Sequence, residues 1–202
     1  MLIIKSKYRI ARRLGAGIFD QTQTQKFALR AAQRTEKRRG GRGGSDYGRQ
    51  LLEKQKVRFT YGLTEKHLSN YAEKAFATKD PGTSLHRALE MRADNAIYRA
   101  GFAPSRRAGR QAVSHGHILV NGRRIKVPSH ALKVGDVITI REGSRKSPLF
   151  AGLAEKNLEG RGIPQWLEAD AGVLTVKIVG EPSYSPAESG LDYATVFEFY
   201  SR

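Results

Sequence analysis

The segment HILVNGRRIKV, residues 117–127, leaves the backbone around it little freedom. Ile118 and Val120 alternate on one side of an Asn-Gly pair, Ile125 and Val127 on the other. Asn121-Gly122 supplies the two left-handed residues that a type I′ turn demands, so the segment reads as a hairpin. VGDVITI, residues 134–140, reads as a third strand. Upstream, Ser105 is placed to cap a helix that Gly116 ends, with Ala108, Ala112 and Val113 as a narrow apolar stripe. Arg106, Arg107 and Arg110 then share its exposed turn at i+3 and i+4 spacing. Three guanidiniums near a helix N-terminus add to the positive end of the macrodipole, and an anion such as phosphate removes the penalty. Arg123 and Arg124 leave the hairpin turn on the same rim.

The whole chain makes the same demand. Its 202 residues carry 36 Lys and Arg against 19 Asp and Glu, a net charge of +17, for which nucleic acid is the leading partner. The charge is segregated: 16 basic and 4 acidic residues over 1–60, 9 and 2 over 85–130, then 4 and 8 over 150–202. A polyanion is therefore expected on one side, with a neutral or acidic side left for solvent or protein. Cysteine is absent, which excludes disulfides, thiolate catalysis and Cys-based metal centres. His115 and His117 lie two apart with no carboxylate cluster beside them, so neither metal nor cofactor is expected. They read as polar or stacking contacts beside phosphates, or as capping groups. No residue stands out as a nucleophile with a base and an orienting partner. The start lacks a signal-peptide core and no later run approaches the ~20 apolar residues of a membrane span, so a soluble, cytoplasmic protein is expected.

Residues 1–45 read as a basic Gly/Arg-rich arm ordered only on a partner, with Arg12, Arg13, Arg38, Arg39 and Arg42 as candidate RNA contacts. DYGRQLLEKQKVRFTY, residues 46–61, reads as a helix with Tyr47, Leu51 and Leu52 inside and Arg49, Lys54, Lys56 and Arg58 over its exposed face. Thr64 caps a second helix with the stripe Leu68, Tyr71, Ala72, Ala75 and Phe76, which KDPG stops. Ser84 opens a third, whose stripe runs unbroken from Leu85 to Ile97 before Gly101. Further on, Phe150, Leu153, Ala154 and Leu158 suggest a helix. Pro164 opens a helical turn through Trp166 and Leu167, with Trp166 as core, and GVLTVKIVG reads as a strand. Phe197 and Phe199 alternate on a final strand that can cover the helical stripes of residues 46–84.

Residues 105–138, SRRAGRQAVSHGHILVNGRRIKVPSHALKVGDVI, resemble a small RNA-binding domain shared by ribosomal proteins, pseudouridine synthases, a tyrosyl-tRNA synthetase and a heat-shock RNA binder. That module specifies RNA without specifying one function. SDYGRQLLEKQKVRFTYGLTEKHLSNY, GIPQWLEAD and the terminal FEFYSR resemble the bacterial type of the small-subunit ribosomal protein four family. The resemblance implies an α+β fold in two parts, a helical domain 46–84 with 183–202 packed back on it and an α/β domain 85–182 that embeds the RNA-binding module at 103–145, to which the basic extended arm 1–45 is added. It implies binding to 16S rRNA at a multi-helix junction of the 5′ domain early in assembly. It also implies contact with ribosomal protein five of the small subunit, linked to decoding accuracy, and a place at the mRNA entry channel.

Carried over to matching positions, the RNA contacts are Arg106, Arg107, Arg110, His115, His117, Asn121, Arg123 and Arg124, with Arg49, Lys54, Lys56 and Arg58 in the earlier helix. Replacing Arg106, Arg107 and Arg110 by Ala is expected to weaken RNA binding about tenfold or more without unfolding the domain. Two departures stand out. Many relatives carry four N-terminal cysteines around zinc, which this chain lacks, and residues 180–195 match weakly and receive no partner-contacting role. Two other readings use the same module. An RNA-modifying enzyme of the pseudouridine-synthase kind needs a catalytic domain for which the chain after the module leaves little room. A ribosome-associated RNA chaperone leaves the YGRQLLEKQKVRF helix and the FEFYSR end unexplained.

Overall fold

The computed structural model describes residues 4, 6–19, 22–36, 45–147, 149–150, 162–170 and 172–201. The helices among them are α1 (Lys7–Leu14), α2 (Gln25–Glu36), α3 (Asp46–Thr60), α4 (Glu65–Phe76), α5 (Pro81–Glu90), α6 (Ala93–Arg99), α7 (Arg106–Ser114), α8 (Glu142–Arg145), α9 (Pro186–Ser189) and α10 (Tyr193–Tyr200). A 3-10 turn covers Ala16–Ile18, and the strands are β1 (Ile118–Val120), β2 (Arg123–Arg124), β3 (Val137–Ile140), β4 (Leu167–Asp170) and β5 (Thr175–Ile178). The fold class is α+β. The chain divides into two units, Met1–Gly82 with Ser185–Arg202, and Thr83–Tyr184.

In the first unit, polar side chains fix the helix starts. Ser45 Oγ accepts from the Gly48 N–H, Thr64 Oγ1 from His67 and the Asp192 carboxylate from Thr195. α10 packs on α3 and α4, and Val57, Leu63, Leu68, Ala72, Tyr193 and Val196 are fully buried between them. The final segment is thus a helix and not the expected strand. Tyr193, Val196, Phe197 and Tyr200 follow helical spacing, Asp192 supplies the cap, and the alternation of Phe197 with Phe199 is incidental. The face of α3 that turns inward carries Gln50, Lys54 and Val57, while Tyr47 is exposed and Leu51 and Leu52 are half-buried. The expected arm also holds structure. α1 and the 3-10 turn lie against α3, with Ala11 and Ile18 buried and Phe19 edge-on to Phe59 at 6.5 Å.

The long helix expected from Ser84 is two. It begins at Pro81, whose fixed φ suits a first helical position, and breaks at Met91 and Arg92. The break is held from outside. The Ala93 N–H donates to the His130 carbonyl, Asp94 N–H to that of Pro128, and Leu132 N–H to that of Met91. A helical stripe that continues in phase through residue 97 carries no mark of such a distant partner. α6 and α7 then pack closely. A Cβ on Gly109 would lie within contact of the Asp94 carbonyl oxygen, so the approach requires glycine there.

The sheet runs β2-β1-β3-β5-β4, antiparallel throughout, with Val120 opposite Arg123 and Ile118 opposite Ile140. Asn121 and Gly122 take φ of 49° and 77°, the left-handed pair of a type I′ turn. Ile97, Val113, Ile118, Ile138, Ile140, Val176 and Ile178 form the core between sheet and helices. Residues 164–167 make a turn closed by Leu167 N–H to Pro164, but Leu167 then enters β4 where a helical turn was expected. The reason is the ladder to β5, Leu167 opposite Ile178. Trp166 is buried, 8% exposed. The helix expected from Phe150 to Leu158 falls almost wholly outside the described residues.

Candidate nucleic-acid interface

α7 presents its arginines through Ser105, whose hydroxyl accepts from Ala108 N–H and starts the helix one residue before Arg106. The Arg107 and Arg123 side chains are exposed and make no hydrogen bond or ion pair among the described residues. Arg106 and Arg110 are placed otherwise than expected. Arg106 Nε donates to Asn95 Oδ1 at 2.6 Å, its Nη2 stands 3.8 Å from Glu90, and its guanidinium lies 4.6 Å from the Tyr98 ring centroid. Arg110 Nε donates to Asp94 Oδ2 at 3.0 Å. The anions that relieve the crowded guanidiniums are thus, in part, the protein's own.

Those two carboxylates are the centre of a buried cluster. Arg92 forks onto Asp94 at 3.0 and 2.8 Å and Arg99 forks onto Glu90 at 2.7 and 2.9 Å, while Asn95 Nδ2 donates to Glu90 Oε2 at 2.9 Å. The Glu90 side chain is 1% exposed and that of Asp94 5%, whereas Arg106 and Arg110 each keep 19%. His86 is buried beside this cluster. Burial foremost, then Arg99 and Arg106, hold its pKa below the ordinary histidine value against the opposing pull of Glu90.

The hairpin residues are mostly engaged in the fold. Asn121 Nδ2 donates to Asp136 at 2.8 Å and its Oδ1 accepts from Val137 N–H, which locks the turn to β3. Arg124 donates to the Gly116 and His115 carbonyls at 2.9 and 3.1 Å, a cation closing the C-terminus of α7. His117 Nδ1 lies 2.9 Å from Ser144 Oγ and the ring stands edge-on to Phe150. Burial first, then His115, Arg124 and Arg141, keep its pKa low. His115 is exposed. Lys126 and Lys133, exposed after the hairpin and with side chains unpaired among the described residues, are further cations on this module, and the His130 side chain is exposed between them. Only their position next to β2 could have signalled them.

The α3 cations are corrected in one respect. Lys54 is buried at 6% exposure, not displayed, because α10 covers that face: its Nζ donates to Glu65 at 2.8 Å and sits 4.1 Å from the Phe199 ring centroid. Arg58 reaches Gln55 and Glu65, Lys56 reaches Glu53, and Arg49 pairs with Asp46 at the surface. Arg12 and Arg13 are exposed on α1. Arg38, Arg39 and Arg42 lie outside the described residues. No group of three or more His, Cys, Asp or Glu that could hold a metal ion, and no helix long and apolar enough to cross a membrane, occurs among the described residues.

Comparison with known proteins matches both stretches. The family model described as Ribosomal protein S4/S9 N-terminal domain matches residues 3–91, and the S4 domain model matches residues 91–138. The chain is 38% identical over 200 residues to the small ribosomal subunit protein uS4 of Borrelia turicatae, covering 98% of this chain and 96% of that one. It is 40% identical over 198 residues to the uS4 of Roseiflexus sp. (strain RS-1), covering 96% of each. It is 41% identical over 170 residues to the uS4 of Lachnospira eligens, covering 84% of this chain and 86% of the relative.

Proposed function

The chain belongs to the uS4 family of small ribosomal subunit proteins, and from that membership we propose that it binds the 5′-domain junction of 16S rRNA early in assembly of the subunit. It is a structural component of the small ribosomal subunit, not an enzyme, and its S4 domain is an RNA-binding module. The observation that carries the reading is the order of the two family matches along one chain, with relatives matching nearly end to end.

The physics of the partner assigns the roles. Cations on phosphates supply affinity through counterion release, and shape supplies selectivity, because side chains cannot read the deep, narrow major groove of A-form RNA. Arg107, Arg123, Lys126 and Lys133 are free to meet phosphates at once. Arg106 and Arg110 meet them from fixed positions, and His115 offers an exposed ring. Arg12, Arg13 and the basic residues Arg38, Arg39 and Arg42 extend the contact from the N-terminal stretch. Contact with ribosomal protein five, a bearing on decoding accuracy and a place at the mRNA entry channel belong to the same proposal.

The test is a salt titration of binding to a 5′-domain fragment of 16S rRNA, beside an equally long structured RNA of unrelated sequence. The fragment is expected to stay tightly bound at physiological salt while the control loses about 10³-fold or more, as phosphate-only binding does. Two curves that fall together would remove the assembly role and leave a non-specific polyanion surface.

A further inference from the structure

We propose that Glu90 and Asp94 are positioning residues for RNA binding, which hold the guanidiniums of Arg106 and Arg110 at the surface of α7 in the geometry a phosphate backbone requires. The inference rests on the functional reading above and extends it to two residues that carry the wrong charge to touch RNA.

Burial comes first. Glu90 and Asp94 are almost wholly withdrawn from solvent, yet each receives a forked guanidinium, from Arg99 and Arg92 respectively. Buried ion pairs are weak devices for stability, since desolvation offsets much of the attraction. They are effective devices for fixing direction, because forked charge-assisted hydrogen bonds tolerate few geometries. The second observation is position. Glu90 ends α5, Asp94 lies four residues on in α6, and Arg106 and Arg110 repeat that interval on α7. Gly109, between the two arginines, lets α7 approach the Asp94 carbonyl closely enough for both contacts to form. The third is exposure. Arg106 and Arg110 contact the interior carboxylates and still keep part of their side chains at the surface.

Charge gives the arrangement a sense. The four guanidiniums and two carboxylates of the cluster carry four positive charges against two negative, so an anion at the surface stabilises it further. A flexible surface arginine must give up rotamer freedom when it binds a phosphate. Arg106 and Arg110 have already given it up, so the contact they make is both tighter and more directional. Shape selection of RNA depends on cations held at fixed spacing, and the buried carboxylates set that spacing for these two.

Electrostatics alone and positioning predict opposite signs, which makes the test direct. Asp94→Asn, in the full chain, removes one buried negative charge from beneath the α7 arginines and so raises the net positive charge by one. Were Asp94 only a nearby negative charge, the variant would bind the 5′-domain fragment as tightly as the parent or tighter. Positioning predicts about tenfold weaker binding at physiological salt and a salt slope shallower by about one ion. In an Arg110→Ala background the same substitution is expected to add nothing, because Asp94 acts through Arg110. A loss that persists in that background, or affinity that holds or rises in the single variant, overturns the inference.

Arg110→Lys keeps the charge, loses the two-nitrogen contact that Arg110 Nε and Nη2 make with Asp94 Oδ2, and leaves Asp94 paired with Arg92, so it answers the question should Asp94→Asn fail to fold. It is expected to bind less tightly, and parental affinity overturns the inference. A parent that does not distinguish the 5′-domain fragment from the control RNA marks failure of the functional reading. A selective parent with unaffected variants marks failure of this inference alone.

Discussion

Arg107 and Arg123 differ from Arg106 and Arg110 in that their side chains have no partner among the described residues, and substitution separates the two kinds. Arg107→Ala with Arg123→Ala removes two exposed cations and, among the described residues, no side-chain hydrogen bond or ion pair. It is expected to weaken RNA binding about tenfold or more and flatten the salt slope by about two ions, with stability within about 0.5 kcal/mol of the parent. Filter binding and urea unfolding measure the two quantities. Arg106→Ala with Arg110→Ala takes partners from buried carboxylates that still keep Arg99 and Arg92. The fold therefore survives but loses about 1–3 kcal/mol, read as a lower urea midpoint. Gly109→Ala belongs to the same locality: its Cβ meets a main-chain carbonyl, which cannot swing aside as a side chain can. A cost of about 1–3 kcal/mol is expected, visible as a lowered melting temperature.

At the scale of elements, α10 is held by its first residue's neighbour as much as by its apolar face. The hydroxyl of Thr195 donates to Asp192 at 2.6 Å, and that bond, with the Thr195 and Ala194 N–H groups and nearby Arg49 as further causes, keeps the Asp192 carboxyl below its ordinary pKa. A carboxyl whose folded pKa is depressed adds stability above its unfolded value, and the gain is lost as pH falls through the lower folded value. Asp192→Asn keeps a capping oxygen but does not titrate. The parent is therefore expected to exceed the variant in stability at pH 6 and to lose that margin below about pH 4, as thermal melts across the range would show.

Which elements could be read in advance follows from the reach of their causes. The Asn121-Gly122 turn, the Ser105 and Thr64 caps and Leu68, Ala72 and Ala75 of the α4 stripe depend on residues within a few positions and are where their residues put them, whereas the second hairpin strand ends at Arg124, short of the expected Ile125 and Val127, and Val127 and Phe76 are exposed. The break at Met91 and Arg92 depends on Pro128, His130 and Leu132, and Lys54 is buried by α10, some 140 residues on. The pairing of Glu90 and Asp94 with Arg106 and Arg110 was written in matching four-residue intervals. Reading it required knowing that α6 and α7 lie side by side.

For the whole molecule, the division of the chain makes a prediction about cooperativity. The first unit is assembled from two separated stretches, and α10 contributes Tyr193 and Val196 to the interior that Val57, Leu63 and Leu68 share. The second unit builds its core within Thr83–Tyr184 alone, from the sheet and the helices α6 and α7. Deleting residues 185–202 strips the first core of two large buried side chains at once and exposes the faces they covered. Removal of one large buried side chain costs about 2–5 kcal/mol, and a small unit seldom has twice that in reserve. The truncated chain is therefore expected to lose the helical signal of α3 and α4 and to keep a cooperative melt of the sheet-containing unit at the parental temperature. Hydrogen exchange resolves this by position: amides of residues 46–76 exchanging rapidly, those of β1, β3 and β5 still protected. Loss of protection in both regions would mean that the second unit depends on the first. RNA binding gives the matching functional reading, because a chain whose S4 module is folded and whose α3 is not should keep Arg107 and Arg123 while giving up the α3 cations. Its salt slope should then be shallower than the parent's and its preference for the ribosomal fragment smaller, though not lost.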